Sequence, residues 1–131
     1  MWNAKALADA LNAEMFETEI FGENALSVTL KQHADLRVGI VMNGDYMTAE
    51  AVIAGVNEVK DPALLNLQLL RATKALNLSS FALEQIGDEE HYVILGESSS
   101  SSTIENVELE LNTLAANAFE VAELIEEHNK Q

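Results

Sequence analysis

Between Leu26 and Met42 the chain alternates apolar and polar side chains with a period of two. Leu26, Val28 and Leu30 are set against Ser27, Thr29 and Lys31, and Leu36, Val38, Ile40 and Met42 repeat the pattern. Successive side chains of a β-strand point to opposite faces, so this is the pattern of two strands with one face buried. Asn43-Gly44 follows at once, a strong short hairpin signal because both residues tolerate the positive φ of a type I′ turn. The chain is therefore committed to an antiparallel sheet, and its other segments must be compatible with one.

Strands are expected on both sides of this pair. Met15 to Phe21 reads as a first strand, ended by the compact turn Gly22-Glu23-Asn24. Met47 to Val59 should return antiparallel after the hairpin. A helix is the competing reading there, with Thr48 capping a stretch through Ala54 and Gly55 ending it, but the turn just before favours a strand. Ser80 to Ile86 puts Phe81, Leu83 and Gln85 on one side and Ala82, Glu84 and Ile86 on the other. Gly87-Asp88-Glu89-Glu90 makes the next turn, and His91 to Gly96 is the last strand. Its run Tyr92-Val93-Ile94-Leu95 is apolar on both faces, which suits a place near the middle of a sheet.

Three helices are expected. Asn3 caps the first, Trp2 is placed to staple onto Leu7, and Ala6, Leu7, Ala10 and Leu11 form its stripe. Asp61-Pro62, a capping carboxylate before a proline, starts the second, which should run to about Leu76. Leu65, Leu69, Ala72 and Leu76 make one stripe on it, while Leu64, Leu67 and Leu70 make another, interleaved with Arg71 and Lys74. One stripe suffices to dock a helix on a sheet, so the second has something else to cover. The final helix, about 103–128, opens with a capping-box pattern in which Ser102 pairs with Glu105. Ile104, Val107, Leu111, Leu114, Ala118, Val121 and Ile125 follow in a heptad rhythm that fits either a coiled-coil seam or packing on its own domain. Ala115, Phe119 and Ala122 widen the stripe beyond a seam, which favours the intramolecular reading. Ser98 to Ser101 read as a hinge.

With 131 residues, 48% of them apolar, and no sign of a boundary or repeat, residues 1–131 are read as one domain with one core. The expected fold class is α+β: an antiparallel sheet of five to six strands with helices packed on it, in the order α-β-β-β-(β)-α-β-β-α. Seven Lys and Arg against 22 Asp and Glu leave a formal charge of −15. Such a balance repels phosphate backbones and anionic headgroups, so nucleic acid and membrane surfaces are not expected partners. No apolar run approaches the roughly 18 residues needed to insert across a bilayer. Residues 1–12 carry Asp9 and do not read as a secretory signal, so a cytoplasmic location is expected.

Catalytic groups are sparse. The absence of cysteine removes thiol chemistry and thiolate metal sites. His33 and Asp35 share a turn, and His128 lies in an acidic terminal run, where it is expected to be exposed. Asp88, Glu89, Glu90 and His91 include ligand types for a divalent cation, but residues of one hairpin turn splay outwards rather than converge. No phosphate-cradling glycine motif occurs, and Arg37 and Arg71 are the only arginines. The expectation is a protein without catalytic residues, cofactor or metal, with a ligand-sensing or metal-dependent role at the Asp88–His91 turn as the alternative. Glu105, Glu108, Glu110, Glu120, Glu123, Glu126 and Glu127 meet no basic residue until Lys130 and favour a cationic partner or plain solvation.

The element order, small size and acidity are similar to those of type III secretion chaperones. That resemblance implies an acidic homodimer binding extended client segments along apolar grooves. The extra strand at 47–59 departs from that layout. The chain resembles more closely the YjfI-like family of small bacterial proteins, through Asn57-Glu58-Val59-Lys60-Asp61 entering a leucine-rich helix and Leu78-Ser79-Ser80-Phe81 leaving it. The serine-rich stretch before the final acidic helix adds to that likeness. The family brings no catalytic residues, and its members are encoded near homologues of phage-shock protein A, a long coiled-coil protein. The resulting expectation is a homodimeric protein-binding module, chaperone-like or an adaptor, with a basic or coiled-coil partner. Its interaction residues are expected to be Leu64, Leu67, Leu70 and Arg71, with Glu120, Glu123 and Glu127.

Overall fold

The alternating segments pair in the register their periodicity demands. In the computed structural model, which describes all 131 residues, the elements run α1 (Ala4–Ala10), β1 (Phe16–Gly22), β2 (Ala25–Leu30), β3 (Leu36–Asn43), β4 (Tyr46–Gly55), α2 (Pro62–Ala72), β5 (Ser80–Ile86), β6 (Glu89–Ser99) and α3 (Ile104–Asn129). All six strands form one sheet, ordered β1-β2-β3-β4-β6-β5, with every pair antiparallel. Leu26 lies opposite Ile40, Val28 opposite Val38, Met42 opposite Met47 and Ala51 opposite Ile94. These residues are buried on a single face. α1 and α3 cover that face with Leu7, Leu11, Val107, Leu111, Leu114 and Ala115.

The fold is α+β as expected, and the sheet has six strands. Residues 47–59 do not form the competing helix. Tyr46–Gly55 hydrogen-bonds β3 on one side and β6 on the other, and only Val56–Glu58 closes a single 3-10 turn. The hairpin before it differs in detail from the expected type I′. Asn43 pairs with Tyr46, so Gly44 and Asp45 are the central residues, and only Gly44 has positive φ (63°). Glycine first with positive φ is the type II′ arrangement.

A second, smaller cluster holds the middle helix. Leu65 and Leu69 of α2 meet Val59, Tyr92 of β6, and Val121 and Ile125 of α3. α2 ends at Ala72 and continues as one 3-10 turn, Thr73–Ala75. The segment after it passes close over β6: a Cβ on Gly96 would lie 2.9 Å from the Leu78 carbonyl oxygen. Buried Asn117 of α3 anchors this segment, its Nδ2 donating to the Asn77 carbonyl at 2.9 Å and to Ser79 Oγ at 3.0 Å.

Four local expectations are corrected. The cap of α3 is Thr103, whose Oγ1 accepts from the Asn106 amide, in place of the Ser102–Glu105 box. Ser98 to Ser101 are no hinge: Ser98 and Ser99 extend β6, and fully buried Ser100 donates from Oγ to the Gly44 carbonyl at 2.8 Å. Of the residues expected to widen the α3 stripe, Ala115 is buried, while Phe119 and Ala122 face solvent. His128 is 4% exposed rather than solvated. The α3 stripe itself packs on its own domain, as the intramolecular reading holds.

Leu111→Ala removes a fully enclosed side chain between α3 and the sheet, and should cost roughly 2–5 kcal/mol. Leu109→Ala, on the opposite face of the same helix and 58% exposed, should stay within about 0.5 kcal/mol. Urea denaturation of both variants checks the pair.

Candidate protein-binding surface

Which face α2 shows to water is decided by polar contacts at its flanks. Asp61 caps the helix, its carboxylate accepting from the Leu64 amide at 3.2 Å. The Asp61 amide in turn donates to His128 Nε2 at 3.2 Å. Because Nε2 accepts, the ring proton belongs on Nδ1, which donates to Gln68 Oε1 at 3.3 Å. Asn129 adds two further ties, accepting from the Lys60 amide at 2.9 Å and donating to the Glu58 carbonyl at 3.1 Å. On the other flank the Tyr92 hydroxyl donates to Asn66 Oδ1 at 2.6 Å. Burial and the nearby Glu90 carboxylate both raise the Tyr92 pKa, so it stays a donor at neutral pH.

So held, α2 directs Leu65 and Leu69 inwards and leaves the second stripe outside. Leu64 is 40% exposed, Leu67 43% and Leu70 73%. Leu70 lies four residues after Asn66, on the β5 side of the helix. Leu64 lies four before Gln68, on the α3 side, and Leu67 sits between them. Across from Leu70, Phe81 and Leu83 of β5 complete an apolar groove of about 300 Å³ whose floor is Leu69 and Tyr92. Leu83 is itself 44% exposed, so apolar surface continues from helix to strand.

Charge marks the same region. From Pro62 to Leu83 the chain has no acidic residue, although Asp and Glu make up 22 of 131 residues overall. Arg71 and Lys74 fall inside this window, and neither is in an ion pair. Phe81, Leu83 and Tyr92 were not among the expected site residues. The acid-free window is the sequence signal that reaches the first two, and Tyr92 enters only through strand pairing.

The remaining expected residues fall elsewhere. Glu120, Glu123 and Glu127 are exposed on the side of α3 opposite Val121 and Ile125, through which α3 meets α2. The structure therefore does not join them to the leucines. His33 Nε2 bonds Asn112 Oδ1 at 3.1 Å, tying its turn to α3. Asp88 through Glu90 are exposed, His91 Nδ1 turns to the Glu89 carbonyl at 3.3 Å, and no three His, Asp or Glu side chains converge as metal ligands.

The sheet's uncovered face holds a feature without sequence warning. Glu50 of β4 and Glu84 of β5 reach towards each other across β6 and share a side-chain hydrogen bond. They line a broad concavity of about 630 Å³ with Arg37, Val41, Val52 and Ile86. Arg37 does not neutralise them, being turned to Glu19 at 3.8 Å and Ser27 Oγ at 3.4 Å. Partial burial, then the hydrogen bond and charge of Glu84, push the Glu50 pKa from 4.5 up to about 7.

The chain belongs to the DUF2170 family, described as an uncharacterized protein conserved in bacteria, which it matches over residues 1–129. It is 34% identical over 130 residues to the uncharacterized protein YjfI of Escherichia coli strain K12, with 98% of each chain covered. YjfI of Escherichia coli O157:H7 matches to the same extent. The fold is shared with two solved structures. The crystal structure of YbjN from E. coli superposes with a TM-score of 0.63 at 14% identity, over 91% of this chain and 86% of that one. A chain of the ExsC–ExsE complex does so with a TM-score of 0.59 at 14% identity, over 93% and 92%. The expected YjfI-like membership and chaperone-like layout both hold.

The glutamate pair sets a pH dependence. A carboxyl whose folded pKa lies above its unfolded value binds its proton more tightly in the folded state. Stability from this source is therefore greatest below about 4.5 and declines as pH rises towards about 7. Glu84→Gln removes the repelling charge, so the Tm difference between variant and wild type should grow in the variant's favour across that interval. Parallel Tm profiles would contradict it.

Proposed function

We propose that this protein is a non-catalytic protein-binding module, chaperone-like or an adaptor, that works as a homodimer through α2 and the adjoining edge of the sheet. The observation that carries this reading is the second leucine stripe. Leu64, Leu67 and Leu70 remain exposed once the protomer has closed its own core. Contiguous exposed apolar surface of this kind marks interaction sites.

The partner's chemistry follows from charge. Two copies with a net charge of −15 repel wherever carboxylates meet. The acid-free window at 62–83 is where they can approach without that penalty, and Arg71 and Lys74 within it are available to the other copy's acids. A stable dimer buries about 1,200–2,000 Å² in total, and the leucines and the neighbouring groove supply its apolar centre. A separate partner engages the solvent face of α3. There Glu120, Glu123 and Glu127 stand beside exposed Phe119, a combination suited to a basic amphipathic helix. A coiled-coil protein of the phage-shock-protein-A kind, the partner implied by family resemblance, can offer one. Likeness in fold to a chain crystallised in the ExsC–ExsE complex supports a binding role. The scarcity of catalytic groups supports the non-catalytic reading.

Light scattering on the wild type should give twice the protomer mass. Leu67→Glu combined with Leu70→Glu should give a folded monomer with unchanged circular dichroism, since both side chains are already exposed in the protomer. A wild type that is monomeric at high concentration would remove the dimer.

A further inference from the structure

The sheet has two free edges, β1 and β5, and they are protected very differently. An edge strand offers unpaired amides and carbonyls, and folded proteins blunt it with charges, proline, bulges or a covering element. β1 has such devices: Glu17 and Glu19 lie on it, and its register with β2 shifts between Ile20 and Gly22. β5 has neither. Its seven residues pair with β6 without a register shift, it contains no proline, and Leu83 and Ile86 are exposed on its two faces. Glu84 is its only charged residue, and it lines the concavity on the sheet's open face together with Glu50.

We infer that β5 pairs antiparallel with β5 of a second copy, centred on Leu83, so that two six-stranded sheets join into one continuous sheet. This deepens the dimer proposed above, and rests on it, by naming the strand contact that joins the copies.

The choice of a second copy over a foreign strand rests on self-complementarity. A two-fold axis at Leu83, the middle residue of β5, sets Leu83 against its own equivalent, Phe81 against Gln85, Ala82 against Glu84 and Ser80 against Ile86. No like charges stand directly opposite, and all seven residues find partners. Antiparallel pairing of identical edges places the axis perpendicular to the sheet, so both copies keep their helices on the same side. The two α2 helices then flank the junction. Leu70, the most exposed of the stripe, faces across it, and each Leu83 closes the mouth of its own apolar groove. Strand pairing and leucine burial are thus served by one symmetry operation, and the acid-free window covers the leucines and β5 as far as Leu83, with Glu84 just beyond it.

Hydrogen exchange, read by NMR at residues 80–86 as protein concentration is raised, tests the inference. The expected result is that alternate amides of β5 slow at least tenfold as light scattering reports the dimer, while those of β1 do not change. A dimer seen by scattering with β5 amides unaltered would overturn the strand contact and leave an interface made by α2 alone. Absence of any dimer at high concentration would overturn the homodimer together with it. Leu83→Lys sets two ammonium groups opposite each other at the axis and should shift the monomer–dimer midpoint at least tenfold upwards in concentration. Leu83→Ile, the conservative control, should leave it within threefold. Equal midpoints for Leu83→Lys and the wild type would count against the pairing.

Discussion

The rotation of α2 about its own axis is the variable on which the surface chemistry of this protein depends. Two buried leucines place a helix against a core but resist a small turn weakly, because apolar contact is not directional. Direction comes from the hydrogen bonds on both flanks. His128 links the Asp61 amide to Gln68, and Tyr92 holds Asn66. Each has one buried partner, His128 or Tyr92, which is left unsatisfied by loss of the other at a cost of about 1–3 kcal/mol. With 3.6 residues per turn, a rotation of one position would bring Leu64 or Leu70 inwards and break these bonds. The exposed stripe is therefore held in place by polar groups that lie beneath and beside it.

The polar clamp also explains why the carboxyl end of α3 is ordered. Its last ten residues, Glu120 to Asn129, contain four acidic residues and would fray in isolation, since like charges at this spacing oppose a helix. His128 and Asn129 instead bind the entry to α2 from the last helical turn. The two helices are in effect one unit, with Val121 and Ile125 below and the hydrogen bonds at the end. An expectation of exposure for His128, reasonable from neighbours such as Glu126 and Glu127, fails because sequence neighbours lie on other faces of a helix. The position of 128 on the same side as Val121 and Ile125 was the available clue.

Much of the architecture was legible because one face of an antiparallel sheet must be apolar and a period of two records which one. Leu26 to Met42 specified β2 and β3, and the apolar run at Tyr92–Leu95 placed β6 inside the sheet, where the structure shows it between β4 and β5. Features carried by backbone geometry were less accessible. Whether Asn43-Gly44 or Gly44-Asp45 forms the turn depends on register across the strands, which composition does not encode. Ser100 looked like part of a flexible tract because serine is common in linkers, yet its hydroxyl satisfies a carbonyl in a hairpin more than fifty positions away. The site divided in the same way. The leucines of α2 were found from helical spacing, whereas Leu83 belonged to a strand and Glu50 and Glu84 were brought together only by the insertion of β6 between them.

Acidity and exposed leucine, which look like opposing tendencies, act together in this protein. A surface rich in apolar groups invites indiscriminate association, and a net charge of −15 opposes it wherever carboxylates are dense. Screening at physiological salt confines that repulsion to roughly 8 Å, so its effect is local and depends on where carboxylates are absent. The stretch from Pro62 to Leu83 is such a place, and it includes the helix face, most of the groove and the first half of β5. In the proposed binding role, specificity of contact rests on the distribution of charge around the apolar surface as much as on the surface itself. An added carboxylate in this window would act on association before it acted on folding, because the side chains concerned contribute little to the core of the protomer.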